Sequence, residues 1–409
     1  MPGTTGAPRG RTKLSLPDFP WDSLIPFRQI AARHPDGVAD LSVGTPVDPT
    51  PDVIRRALEA ASDAPGYPPT NGTPALREAV SAWFERRRGV AGVDPDGVLP
   101  TIGSKELVTW LPTLLGLGAG DIVGIPAVAY PTYDVGARIA RAEPVVFDVL
   151  DGFDGLATAQ PAGGRTPKLL WLNSPANPTG KVLGVDQLAD VVAWARRNDV
   201  IVASDECYAE LDWRTAPHEG APATSVTPAT PDALAEAATR PSAVPSILDP
   251  RVCGRDHTGL LAVYSTSKQS NLAGYRAAFV AGDVGIVGEL LEVRKHAGMM
   301  MPAPVQAAMQ VALGDDEHVA TQREVYRRRR DLLLPAIAKF GFTVSDSEAG
   351  LYLWATRGEQ CWDSVAALAE LGIVVAPGAF YGDRGSEHVR IALTASDQTI
   401  RSAAARLSG

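Results

Sequence analysis

The sequence predicts an α/β protein, with a large domain on a mostly parallel central sheet flanked by helices and a smaller α+β domain. Three observations carry this. At 409 residues the chain exceeds one ordinary hydrophobic core, so two domains are expected. From Val98 onward, short apolar runs rich in β-branched residues alternate with helix-patterned stretches, the pattern of parallel strands covered on both faces. After Gly285 that rhythm gives way to longer helices and a few separated strands.

Taken in order, residues 1–13 are polar and read as a disordered tail, and residues 14–45 read as an arm that joins the smaller domain. Asp40 to Pro46 forms a short strand ending in a Gly44-Thr45-Pro46 turn. Pro51 to Ser62 has helical spacing, the turn-rich Gly66 to Gly72 follows, and an amphipathic helix is expected over Pro74 to Arg88. Strands are expected at Val98–Ile102, Ile122–Ile125, Pro144–Val149, Leu169–Leu172, Val200–Ala203, Leu260–Val263 and Ala277–Val280. These place a large domain at 46–285 and a small one at 286–409. Within the large domain, residues 216–245 are dominated by Ala, Pro, Ser and Thr, and read as a flexible surface insertion with a short helix at Asp232 to Thr239.

Composition narrows the function. Hydrophobic residues at 45% and charged residues at 21% describe a soluble globular protein. A net charge of −9 argues against a nucleic-acid partner, and the basic run Arg327 to Arg330 lies in a helical stretch where a solvated face is expected. Cys207, Cys253 and Cys361 are far apart and odd in number, which suggests neither a disulfide framework nor a metal site and fits a reducing cytoplasm. The first 13 residues lack the apolar core of a signal peptide, and no apolar run reaches membrane-spanning length.

The chemistry concentrates at predicted strand ends, where ligands of such sheets bind. Tyr264 to Arg276 brings Ser265, Ser267 and Arg276 around Lys268. A lysine among other cations loses its proton readily and can form a Schiff base, while the hydroxyls and guanidinium suit a phosphate. On this stretch alone, a solvated Ser/Thr loop is an equal reading. Gly103-Ser104-Lys105 opens a helix after a strand, which makes either an anion site or an ordinary cap. Asn173 and Asn177 end one strand and are candidates for ligand hydrogen bonds. Asp205 and Tyr208 end the next, where a carboxylate can pair with a protonated ring nitrogen and a phenol can donate to an oxyanion. Tyr130 could stack on a flat ring, and Arg390 in an apolar strand needs a carboxylate, internal or from a ligand.

Two signals are set aside. Gly116 to Gly120 lies after a helix and before a strand, the wrong order for a dinucleotide fingerprint. Ser265 to Lys268 matches a serine-acylation motif, but its companion elements are missing from the chain.

In this order, from about Leu41 to the C-terminus, the motifs resemble the class I/II, fold-type I pyridoxal-phosphate aminotransferases. The resemblance implies pyridoxal 5'-phosphate on Lys268 as a Schiff base, with Lys268 then moving the substrate proton. It implies Asp205 on the pyridinium nitrogen, Tyr208 and Asn177 on the phenolic oxygen, and Tyr130 stacked on the ring. The phosphate would meet Gly103, the Ser104 and Lys105 amides, Ser265, Ser267, Arg276, and Tyr67 from a neighbouring subunit. Arg390 would take the substrate α-carboxylate under Gly44, so the partners are small amino and oxo acids, and a homodimer shares its sites.

The segments Leu16 to Asp22, Asp40 to Asp48, Val293 to Gly298 and Ser347 to Trp354 are similar to actinobacterial succinyldiaminopimelate aminotransferases of lysine biosynthesis. That implies N-succinyl-L,L-2,6-diaminopimelate plus 2-oxoglutarate as substrates. A distal carboxylate then calls for a second cation, and Arg294 and Arg28 are the candidates. The insertion departs from that group. Alternatives are an aminotransferase for aspartate or L,L-diaminopimelate, and a non-catalytic aminotransferase-like sensor domain, which would carry a DNA-binding winged helix for which there is no room before Leu41.

Overall fold

The computed structural model describes residues 16–17, 19–147, 166–214, 230 and 242–409. Its strands in chain order are β1 (Ala39–Asp40), β2 (Val98–Ile102), β3 (Ile122–Pro126), β4 (Glu143–Phe147), β5 (Leu169–Asn173), β6 (Ile201–Asp205), β7 (Leu260–Ser265), β8 (Ala277–Gly282), β9 (Thr343–Ser345), β10 (Tyr352–Thr356), β11 (Ile373–Val374), β12 (Ala376–Pro377) and β13 (His388–Ala392).

The larger sheet has seven strands in the order β2-β8-β7-β6-β5-β3-β4. β8 is antiparallel to both neighbours, and the other pairings are parallel. The carboxyl ends of β2, β3, β5, β6 and β7 therefore share one edge, and β8 begins there.

Strand periodicity explains the layers. Leu170, Leu172, Val202, Ala262 and Tyr264 point into one core, while Leu169, Trp171, Ala203, Leu261 and Val263 point into another. The first is closed by helices including Pro74–Arg88 and Val185–Asn198, the second by Ser104–Leu114 and Thr132–Ile139. Local sequence sets the helix ends. Thr73 accepts from the Leu76 amide at 3.2 Å, Pro74 opens the helix, and Gly89 at φ 64° ends it.

The smaller sheet, β12-β13-β10-β9, is covered by helices Glu317–Lys339, Cys361–Glu370 and Asp397–Ser408. The arm joins this part: Leu24 and Leu41 lie in its core, and β1 pairs in parallel with β11.

Two boundaries differ from the sequence reading. Helices Val284–Ala297 and Ala303–Gly314 pack on the seven-stranded sheet, through Val287 and Leu290 on one face and Val305, Met309 and Leu313 on the other. The pattern change after Gly285 marks longer helices, not a new core. The expected insertion also ends earlier than 245. Val244 is buried and Ser242 Oγ donates to the Ala209 carbonyl at 2.5 Å, because this end of the segment closes over the turn after β6. The rest of that stretch, including the short helix expected at 232–239, lies outside the described residues, apart from Thr230.

Candidate active site

β7, buried throughout, delivers the lysine to the shared edge. Ser265 ends the strand, and its Oγ accepts from the Ser267 amide at 3.2 Å, turning the chain into the short helix Thr266–Gln269. Lys268 Nζ there donates to the Gly44 carbonyl at 2.6 Å. Burial lowers the Lys268 pKa. The phenol of Tyr352 and the thiol of Cys207 oppose that shift, while Arg390 and Arg276 reinforce it, so the amine sheds its proton more readily than an ordinary lysine.

Beside it, β5 and β6 pair Asn173 with Asp205. Asp205 is buried and accepts from Tyr133 Oη at 2.9 Å and the Cys207 amide at 3.2 Å. Burial raises its pKa and these donors partly offset the rise. Asn173 proves to be scaffold: its amide nitrogen donates to the Asp205 and Pro175 carbonyls at 2.9 and 3.1 Å, and its oxygen takes the Asn177 amide at 2.7 Å. Asn177 is thereby presented toward Arg390, whose Nη1 donates to Asn177 Oδ1 at 3.2 Å.

At the next strand end, helix Ser104–Leu114 starts without a side-chain cap, leaving its first amides for an anion. Gly103 precedes it at φ 80°, and a Cβ there would lie 2.1 Å from Arg276 Nη2. Only glycine lets the guanidinium close over this backbone. Because β8 runs opposite to its neighbours, Arg276, just before its first residue, arrives at the same edge. Ser265 and Ser267 complete the cradle, with their hydroxyls 2.8 Å apart. The Lys105 side chain turns outward, its Nζ 5.8 Å from the Tyr130 ring centre.

Arg390 comes from the smaller sheet, on β13 between Trp354 and Ala376. It is 3% exposed, and Nη2 donates to the Ser42 carbonyl at 2.7 Å. Its Nε is buried without a partner, and no carboxylate pairs with it among the described residues. Aromatic rings frame it instead, with Tyr352 centred 4.0 Å and Tyr381 5.1 Å from the guanidinium carbon. Gly44 lies against Tyr352, whose oxygen would be 1.9 Å from a Cβ at that position.

Two cations expected to meet the substrate already have partners within the chain. Arg294 is fully buried and paired with Glu106 at 2.8 and 3.2 Å. A cation so deep in the core needs an internal carboxylate, and Glu106 supplies it. Arg28 is engaged by Asp40 and Ser42, at 2.5 and 2.9 Å. Tyr67 is 95% exposed and makes no part of its own chain's site. Sequence reasoning missed Tyr133, Tyr352 and Tyr381. A phenol three residues after Tyr130 was a usable signal for Tyr133, whereas the other two look like core aromatics of a strand and a turn.

The arrangement fits pyridoxal phosphate by charge. Among the described residues, the buried carboxylate Asp205 is held by neutral donors, two guanidinium groups have no carboxylate, and a helix start is uncapped beside a readily deprotonated lysine. A pyridinium nitrogen, a phosphate and a substrate carboxylate are the complementary groups.

The comparisons agree. Residues 36–407 match the sequence profile of aminotransferase class I and II. The chain is 54% identical to a Mycobacterium tuberculosis protein described as a probable aminotransferase, over 98% of this chain and 87% of that one. It is 52% identical to the Streptomyces rimosus 4-dedimethylamino-4-oxo-anhydrotetracycline transaminase, over 96% of this chain and 99% of that one. Among solved structures, a probable N-succinyldiaminopimelate aminotransferase of Thermus thermophilus superimposes with a TM-score of 0.79 at 27% identity, covering 95% of this chain and 99% of that one. The chain belongs to the class I and II aminotransferases and is a pyridoxal-phosphate-dependent enzyme.

Proposed function

We propose that the enzyme transaminates an amino acid through its α-carboxylate, with Lys268 as the covalent anchor and Arg390 as the carboxylate receptor. The observation that carries this reading is Arg390, a buried guanidinium with an unpartnered Nε and no carboxylate among the described residues, covered by Tyr352, which in turn lies against Gly44, the partner of the Lys268 amine. When bound, the cofactor supplies the carbonyl that takes up the amino group and the ring that withdraws electrons from the substrate's α-carbon.

The chain's own groups do the rest. Lys268, its pKa lowered by burial and its cationic neighbours, would hold the cofactor as its covalent anchor and move the proton at the substrate's α-carbon. Asp205, steadied by Tyr133, would hold a proton on the ring nitrogen as its counter-ion. Tyr208 and Asn177 would donate to the ring oxygen, and Tyr130 would cover the ring. Gly103, Ser104, Lys105, Ser265, Ser267 and Arg276 would bind the phosphate with their amides, hydroxyls and guanidinium. Tyr67, exposed in the single chain, would reach the phosphate of a second copy in a homodimer with shared sites. The three free cysteines are buried, in keeping with a cytoplasmic enzyme. Among the described residues no helix is long and apolar enough to cross a membrane.

For the substrate, N-succinyl-L,L-2,6-diaminopimelate with 2-oxoglutarate is favoured by the four segments quoted above and by the likeness to the Thermus thermophilus protein. Its distal carboxylate calls for a second cation; burial on Glu106 denies that role to Arg294 and leaves the partly exposed Arg28 as the candidate. A second reading, amination of a ring ketone on a polycyclic substrate, is favoured by the 52% identity to the Streptomyces rimosus enzyme and by the aromatic frame around Arg390. A panel of amino donors and oxo acceptors decides between them. Rapid conversion of the cofactor by succinyl-diaminopimelate supports the first reading. Conversion by glutamate, with no turnover of succinylated, free diaminopimelate or aspartate substrates, supports the second.

A further inference from the structure

Tyr352 lies at the start of β10, where it faces Ala392 of β13 across the smaller sheet. It is 4% exposed and touches three parts of the site at once. Its ring lies on Arg390, its oxygen lies against Gly44, the acceptor of Lys268, and its hydroxyl is 3.2 Å from that of Tyr208. Nothing in the chemistry of transamination requires a second phenol beside Tyr208, so its placement needs a reason.

The reason lies in the number of protons available. A phenol has one. If Tyr208 donates its proton to the cofactor's ring oxygen, it can meet Tyr352 only as an acceptor, and the Tyr352 hydroxyl must be the donor. A donor at its back polarises the Tyr208 O–H and fixes its rotation, strengthening the bond it makes in front.

We propose that Tyr352 is a positioning residue of this site: its hydroxyl donates to Tyr208 and so aims and strengthens the Tyr208 proton, while its ring caps Arg390. The cation beneath the ring makes the phenol a better donor: burial pushes the Tyr352 phenol up, while the charges of Arg390 and Lys268 draw it down. The two halves of the site, one gripping the cofactor and one the carboxylate, then share a single side chain.

The proposal rests on the roles given above to Lys268 and Tyr208, and the experiment separates the two. The visible absorbance of the lysine-bound cofactor is titrated with pH in the wild type, Tyr352→Phe, Tyr208→Phe and the double variant. Tyr208→Phe should raise the titration midpoint, because the ring oxygen loses its donor. Tyr352→Phe, which keeps the ring and removes only the hydroxyl, should raise it by about half a unit to one unit, the worth of one hydrogen bond. In the Tyr208→Phe background the same change should do nothing, a coupling that a merely structural tyrosine would not show. Tyr352→Leu, which removes the ring, should add a rise in KM for the amino donor that Tyr352→Phe lacks. Equal midpoints for wild type and Tyr352→Phe, or the same shift with and without the Tyr208 hydroxyl, overturn the proposal. Failure of Tyr208→Phe to move the midpoint overturns the underlying assignment of Tyr208.

Discussion

The Arg390 side chain shows how a single residue can be costly to the free protein and useful to the enzyme. A buried guanidinium with an orphaned nitrogen is destabilising unless something completes it. Replacing it with leucine is expected to raise KM for the amino donor about 10- to 100-fold, the worth of charged hydrogen bonds, without weakening cofactor binding. Steady-state kinetics beside a cofactor titration check this. Lys268 carries the complementary prediction. Since its pKa lies below the ordinary 10.5, the rate at which apoprotein takes up pyridoxal phosphate should rise with pH to a midpoint below that value. A midpoint at or above it would contradict the assignment. At this scale the sequence was informative wherever function sits on a local motif. Lys268, Asp205, Asn177 and Arg276 lie in or beside turns at strand ends, so their position along the chain predicts their position in space. Arg294 was misread because a charge in a helix does not declare its partner, and Glu106 is 188 positions away. Tyr352 and Tyr381 were missed because an aromatic in an apolar strand or turn has the same pattern whether its hydroxyl is idle or engaged.

Among elements, the decisive feature is β8, the one strand of the larger sheet that runs antiparallel to its neighbours. Reversal puts Arg276 at the edge where the other strands deposit their carboxyl ends, over a glycine that leaves room for it. Gly103→Ala combines a left-handed φ with a Cβ on the guanidinium, and it should weaken pyridoxal phosphate binding about tenfold or more while the fold persists. Equilibrium dialysis of the cofactor measures it. Behind the site, helix Pro74–Arg88 is tied to the turn after β6 by Arg87 on Glu210 and Arg88 on Glu206, at 2.7 and 3.0 Å and all nearly solvent-free. Arg87→Met would leave Glu210 buried and unpaired, so it is expected to cost about 3–5 kcal/mol in denaturant unfolding. Periodicity revealed these helices and the faces they bury. It could not reveal which sheet each face meets, which is why helices Val284–Ala297 and Ala303–Gly314 were assigned to the wrong core.

For the whole molecule, the site exists only because two sheets meet. The larger contributes the lysine, the carboxylate and the anion cradle; the smaller contributes Arg390 and Tyr352, and the segment from Leu41 to Gly44 stitches them together through Ala392, Arg390 and Lys268. Strand–helix alternation made the larger sheet legible, while the junction depends on contacts across hundreds of residues that no local pattern encodes. A homodimer of the 43.1 kDa chain should be measured by sedimentation at micromolar concentration, with a monomer contradicting the shared-site role of Tyr67.

The most direct measurement is to reduce the loaded enzyme with borohydride and map the modified peptide by mass spectrometry. The expected result is a single pyridoxyl group on Lys268, absent from Lys268→Ala. A label on another lysine, or an unmodified Lys268 in protein that retains the cofactor, would contradict the site described above.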